Sequence, residues 1–297
     1  MRQRILVVLA LAAAVLAALG LVMRFGRTSQ PLRLVNVTGA YRRYEYVQHT
    51  DIIESGAEQT KTRQSRCDLL FTGRSAEGGS YRALITPINF EALIDGVRTE
   101  GAVPQLHQNI LQDSRGRPLI DNRADLYPLD MLNAPEFFPF LTGRGTFPGE
   151  EWEDQFRVVL PPYGQQMIVL LRTRFSGYSR VGAERLVRLS YAAKGETLYR
   201  APDTGKSEKA AFAVEGFSLW DARLGVPYSL EHEMQLRTLD FDRIRGAGAA
   251  AGDETFATQT LQRTRLRLLL KSKTKPARVT PRVTPTPAPT QMDKEFF

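Results

Sequence analysis

Three histidines, one cysteine and a few clusters of acidic or basic-glycine residues are the parts of this chain with which chemistry could be done. His49, His107 and His232 fall in no His-x-x-x-His or Glu-x-x-His spacing, the patterns that set two ligands on one helix face. Glu231 and Glu233 flank His232 in an alternating stretch, so they belong to the face opposite the imidazole. A single cysteine excludes an intrachain disulfide and any cysteine-cluster zinc site. No metal and no cofactor is expected. Cys67 with His107 is a conceivable nucleophile–base pair, but a free cysteine behaves as a small apolar group and Cys67 reads as buried. No Gly-x-Ser-x-Gly elbow occurs, so no catalytic residue is assigned.

Two glycine-containing basic segments, Asp113-Ser-Arg-Gly-Arg117 and Gly143-Arg-Gly145, lack the strand before and helix after that a phosphate cradle needs. They read as β-turns. Glu150-Glu151-Trp152-Glu153-Asp154 groups four acids around an indole without the ligand spacing of a calcium loop, and reads as a solvated acidic turn with one buried aromatic. The richest feature is aromatic: Phe137, Phe138, Phe140, Phe147, Trp152 and Phe156 crowd together. Phe137, Phe138, Phe140 and Trp152 are the ligand-binding candidates. Their expected role is to plug the core, with an apolar ligand mouth or partner surface as the alternative.

The elements that must position these residues are strands. Alternation marks 44–53, 62–72, 81–86 and 90–94, with Asp95-Gly96 as a hairpin turn. The stretch 101–165 holds eight prolines, which disfavours a continuous central strand; the chain is expected to cross there from one sheet region to another. Leu126 to Asn133 reads as a short helix. Beyond it comes a meander: 166–175, 187–191, 211–220 and 230–241, with a bulge near Thr238 where the alternation slips by one residue. In the last strand Leu266, Leu268 and Leu270 oppose Arg263, Arg265 and Arg267.

Ile5 to Met23 is uncharged, lies between Arg2/Arg4 and Arg24/Arg27, and is long enough to cross a bilayer core. An uncleaved single-pass anchor in the cytoplasmic membrane is expected, with the rest of the chain on the extracytoplasmic (periplasmic) side. A signal cleaved near Ala18-Leu19-Gly20 and a cytosolic core helix are the alternatives. The expected organisation is 1–27 anchor or signal, 28–31 linker, 32–272 β domain, and 273–297 a disordered Pro/Thr-rich basic tail. The net charge of +8 is not a nucleic-acid signature. Residues 1–27 hold four arginines and no acid, and 271–297 hold six basic and two acidic residues. Of the 40 basic and 32 acidic residues, 30 of each remain in between. No nucleic-acid partner is expected.

Thr146-Phe-Pro-Gly-Glu-Glu-Trp152, the Pro161-Pro162 pair, the hairpin from Leu170 to Ala192 with Gly182 at its turn, and Phe217-Ser-Leu-Trp-Asp-Ala-Arg-Leu-Gly225 leading into a long strand together resemble a class of exported bacterial β proteins. The opening strand around Tyr44-Glu-Tyr46 is similar to those of lipid-carrying β domains. The resemblance covers about 146–240 and implies a strongly curved antiparallel sheet or partial β-barrel; no functional residue is carried over from it. The sequence thus points to a mainly β protein whose concave face is plugged or open. It also points to a non-catalytic, membrane-tethered envelope protein that binds a lipid-like ligand or a protein partner. A cell-wall-associated scaffold is the second reading and a hydrolase with an unrecognised site the third.

Overall fold

Alternating apolar and polar residues over stretches of 14 to 18 residues can only form long strands with one face to bury. That is the architecture found. The computed structural model describes residues 29–34, 41–75, 80–99, 109–120, 125–128, 139–160, 164–200, 207–240 and 257–274, and no helix occurs among them. The anchor at 5–23, the tail beyond 274, His107, Phe137 and Phe138 lie outside the described residues.

The strands are β1 (Gln30–Pro31), β2 (Tyr41–Glu54), β3 (Lys61–Ser75), β4 (Tyr81–Ile94), β5 (Val97–Arg98), β6 (Asn109–Gln112), β7 (Leu126–Pro128), β8 (Gly145–Thr146), β9 (Glu151–Leu160), β10 (Gln165–Val181), β11 (Glu184–Arg200), β12 (Ser207–Asp221), β13 (Val226–Asp240) and β14 (Ala257–Thr274). β1 and β8 form a two-stranded ribbon. The other twelve form one sheet in the order β5-β4-β3-β2-β14-β13-β12-β11-β10-β9-β7, with β6 also on β4. Every pairing is antiparallel except β7 with β9. The sheet is curved and is not closed into a barrel, since β4–β5 and β7–β9 end the order without pairing to each other. The expected mainly β, curved antiparallel architecture is present in its open form.

Residues of one face align in rows across the strands. One row runs Ser65–Gln48–Leu266–His232–Gly216–Tyr191–Thr173–Trp152, and the next Arg63–Thr50–Thr264–Met234–Val214–Ala193–Leu171–Asp154. This is the concave face. Its apolar cluster reaches from Ile85 and Ile110 near one end of the strand order to Tyr127, Phe156 and Val158 at the other. With no helix or second large sheet described, the sheet covers this face by bending over itself. Two inward-facing glycines permit that bend. A Cβ on Gly195 would lie 2.5 Å from the Ile168 carbonyl, and one on Gly216 would lie 2.5 Å from the Glu231 carbonyl and 2.8 Å from the Tyr191 ring. Register shifts at Phe175/Gly177, Leu219/Trp220, Thr238/Leu239, Leu270/Ser272 and Arg66/Asp68 add local twist.

The bulge near Thr238 is found where the slipped alternation puts it. Three expectations are corrected. The stretches 81–86 and 90–94 are one strand, because Pro87 and Ile88 keep the register, Asn89 takes a positive φ of 54°, and Asn89–Phe90 are absorbed as a bulge between the pairs Asp68–Ile88 and Arg66–Glu91. Leu126–Pro128 is a strand beside β9, not the start of a helix. The acidic segment after Glu150 opens β9 instead of forming a turn: Glu151 and Glu153 face Arg174 and Arg172 across the sheet at 3.5 and 2.5 Å. β9 is also a continuous ten-residue strand inside the proline-rich stretch, with Pro148 and Pro161 outside its ends. That stretch does carry the chain across, from β4 and β6 at one side of the sheet to β7 and β9 at the other.

Because Gly216 has no room for a side chain, Gly216→Val should destabilise the protein by about 2–3 kcal/mol through overpacking. Glu215→Val, one residue away on the exposed face, should change stability by less than ~0.5 kcal/mol. Urea unfolding of the two variants beside the wild type checks the difference.

Candidate functional site

The concave face is the candidate site, and three arrangements define it. The first is an aromatic cluster where the bent sheet meets itself. Phe140 is buried, 5.7 Å from the Phe156 ring and 6.5 Å from Tyr127; Tyr127 and Phe156 are 5.6 Å apart, edge to face. Trp152 is half-buried and its indole Nε1 donates to the Phe140 carbonyl at 3.0 Å. Two of the four candidate aromatics, Phe140 and Trp152, are therefore brought together, and Phe140 sits within the core. Tyr127 and Phe156 complete the cluster. The sequence signal for Phe156 was its place in the aromatic run; Tyr127 had none, because its strand pairs in parallel across a distant stretch.

The second arrangement is a clasp between the two sides of the sheet. The turn Asp113–Arg117 follows β6, which pairs with β4. Asp113 Oδ1 accepts from the Arg115 and Arg117 amides at 2.9 Å, and Gly116 takes a φ of 79°. The turn chemistry is as read from the sequence. Its consequence is that Arg115 is aimed across the gap: its NH2 group donates to both Asp154 oxygens at 2.7 Å, and its Nε to the Leu141 carbonyl at 2.6 Å. Asp154 lies on β9, at the other side of the sheet. Burial pushes its carboxyl above the ordinary carboxylate range, and the Arg115 guanidinium pulls it back. The Leu34 amide donates to Ser114 and the Leu141 amide to Arg115 across the same seam.

The third arrangement is Tyr191 and His232. Their ring groups are hydrogen-bonded, Oη to Nδ1, at 3.0 Å. They are two strands apart and meet because Gly216 stands between them. Burial lowers the His232 imidazole from 6.5 to about 4, so it is neutral at pH 7. His49 lies on the opposite face, 2.9 Å from Asp51. The structure does not bring these histidines together. Among the described residues no group of three or more His, Cys, Asp or Glu is placed to hold a metal. Cys67 is buried, and burial pushes its thiol up to about 12, which leaves negligible thiolate at neutral pH.

Two open clefts accompany the concave face. One of about 300 Å³ lies on the outer face at the β3–β4 bulge, lined by Val47, His49, Arg66 and Leu93. The other, about 290 Å³, lies at the strand ends between Gln30, Tyr178, Arg185 and Arg223.

No protein-family model and no curated protein sequence matches the chain significantly. Among solved structures it is similar to lipovitellin, in a structure titled for lipid–protein interactions, at 12% identity and a TM-score of 0.41. The match covers 82% of this chain and 26% of that one, so the chain spans about a quarter of the length of the protein it matches.

Two predictions follow from the clasp and the buried imidazole. Arg115→Met leaves Asp154 without its partner and should cost about 2–4 kcal/mol, the range for breaking a largely buried pair when one partner keeps some solvent contact. Combining it with Asp154→Leu should restore most of the loss, as measured by chemical unfolding. For His232, the folded value near 4 lies below the unfolded 6.5. Stability present at pH 7 is therefore lost as pH falls from 6.5 to 4, by about 3 kcal/mol in all. Lys271 and Arg66 hold the Glu45 carboxyl below 4.5, and Arg43 and Asn89 hold Asp68 below 3.8, so the stability that these two carboxylates contribute is lost as pH falls below 4.5 and 3.8 respectively. His232→Gln should flatten melting temperature against pH between 6.5 and 4.5 and leave the loss below 4.5 that the carboxylates cause.

Proposed function

We propose that the protein is a non-catalytic envelope protein, tethered to the cytoplasmic membrane by residues 5–23, whose concave sheet face binds an apolar, lipid-like ligand or an apolar segment of a protein partner. The observation that carries this reading is the continuous apolar face of one wide sheet whose two sides are joined by a seam and not by strand pairing. Opening such a seam breaks the Arg115–Asp154 clasp and a few amide bonds, and leaves every sheet ladder intact. A closed barrel would have to lose a full strand pairing to admit a ligand of the same size. Burial holds the Cys67 thiol protonated at neutral pH, which fits binding better than nucleophilic hydrolysis at that residue.

A scaffold is the second reading. It is favoured by the packing of Phe140 against Tyr127 and Phe156, which fills the place where the sheet meets itself. The two readings differ in what the purified protein carries. Mass spectrometry of organic extracts from the full chain, purified in mild detergent, should find an apolar molecule in near-stoichiometric amount. An environment-sensitive apolar probe should then bind the extracted protein. Neither lipid nor probe uptake would sink carriage and leave the scaffold. A reporter fused after residue 272 should be active only outside the cytoplasm; cytoplasmic activity would overturn the tethered reading.

A further inference from the structure

All long strands present one set of ends together: the β10–β11 turn at Val181–Glu184, the β12–β13 turn at Asp221–Val226, the start of β2 and the end of β14. This end is basic. Arg33, Arg43, Arg180, Arg185, Arg223 and Lys271 are exposed there. Of the acids nearby, Asp221 is buried with its carboxylate accepting from the Arg223 and Leu224 amides, Glu184 is 3.8 Å from Arg223, Asp68 is bonded to Arg43 at 2.5 Å, and Glu45 pairs with Lys271 at 2.8 Å; none of these pairings involves Arg180 or Arg185. At the opposite end the described charges are balanced: Glu54 with Lys61 at 2.9 Å, Glu196 with Lys209 at 2.7 Å, and Asp125 with Arg157 at 2.7 Å.

The basic end is also where the N-terminal segment joins the fold. Gln30 lines the 290 Å³ cleft with Tyr178, Arg185, Asp221 and Arg223. Arg185 stacks on the Tyr178 ring at 3.6 Å, which holds its guanidinium at the cleft rim. Gln30 follows Met23 by seven positions, so the end of the apolar run is at most ~25 Å from this cleft. β10 alone is 17 residues long, or ~56 Å at ~3.3 Å per residue, and the opposite end is out of that reach.

We infer that this basic strand end docks on the surface of an anionic bilayer, with Arg180, Arg185 and Arg223 against lipid phosphates. The inference rests on the tethered reading above, and it sets the orientation of the sheet: strands stand on the membrane, and the opposite end points away. Guanidinium groups bind phosphate oxygens in a forked geometry, and the attraction falls off within about 10 Å in 0.1 M salt.

The test uses the full chain reconstituted in phosphatidylcholine vesicles with and without phosphatidylglycerol, read by amide hydrogen exchange. Exchange at residues 178–187 and 220–226 should slow severalfold in the anionic vesicles only, and raising the salt should abolish the effect without any variant. Arg180→Gln/Arg185→Gln/Arg223→Gln should lose the protection while exchange in Lys61–Ser65 and Gln165–Val169 stays unchanged, which shows that the variant is folded. Equal exchange in neutral and anionic vesicles, or protection that survives the triple substitution, overturns the docking. Protection by soluble long-chain polyphosphate but not by vesicles also overturns it, in favour of an anionic polymer. Failure to enter neutral vesicles at all sinks the tether instead, so the two failures are distinguishable.

Discussion

A single antiparallel sheet with one apolar face must hide that face, and among the described residues nothing but the sheet itself is large enough to do so. This constraint orders the rest of the structure. Each buried leucine, valine or phenylalanine contributes about 1.5–3 kcal/mol only if water is excluded from it. A flat sheet would leave the face wet. Curvature brings Ile85 and Ile110 into one cluster with Phe156 and Val158, which lie at opposite sides of the strand order. The bend is encoded by absent side chains. Gly195 and Gly216 sit at inward positions where any other residue would strike a neighbouring carbonyl. The space at Gly216 is taken by Tyr191, whose hydroxyl passes over it to His232. A glycine that weakens its own strand is thus compensated by an aromatic ring from the next one.

Bending creates a second problem. The two sides of the sheet approach without strand pairing, and their backbone groups and flanking residues must find other partners. The segments 29–34, 113–117 and 139–146 supply them through the Leu32, Leu34, Leu141 and Gly143 amides. Among the described residues the Arg115–Asp154 pair is the charged contact across this gap, and it is bidentate with a third bond from Nε to a carbonyl. Burial works against Asp154 as an ion, so the pair adds little net stability over an apolar replacement; what it fixes is the register of one side on the other.

Strand positions were legible because alternation is a local property. The inward leucines of β14, the inward run of β13 and the slip at Thr238 follow from residue order alone. Local alternation misleads where a long-range partner decides. Asn89 bulges because Arg66–Asp68 opposes it, so the sequence alone suggests two strands where there is one. Leu126–Pro128 is a strand because β9 lies beside it. Glu151 and Glu153 stay in a strand because Arg174 and Arg172 neutralise them from β10. In the candidate site, Phe140 and Trp152 were visible as part of an aromatic run. Arg115 looked like ordinary turn chemistry, because only the closed seam shows what its guanidinium reaches. Curvature left hardly a trace: two glycines within alternating strands are also compatible with a flat sheet.

The outer face follows the same logic with charge in place of apolar area. Arg172 with Glu153, Arg174 with Glu151 and Arg265 with Glu233 lie directly opposite one another on neighbouring strands. Glu45, itself nearly covered, is shared by Arg66, Lys271 and Arg267. Exposed pairs of this kind add only about 0–1 kcal/mol each. Their larger effect is to keep the wall close to neutral although it is densely charged, as like charges directly opposite would destabilise the ladder. A wall neutralised in this way has little net field of its own. The arginines exposed at one set of strand ends, Arg180, Arg185 and Arg223 among them, therefore give the sheet a charge direction along its strands that the near-equal numbers of acids and bases between the two chain termini conceal.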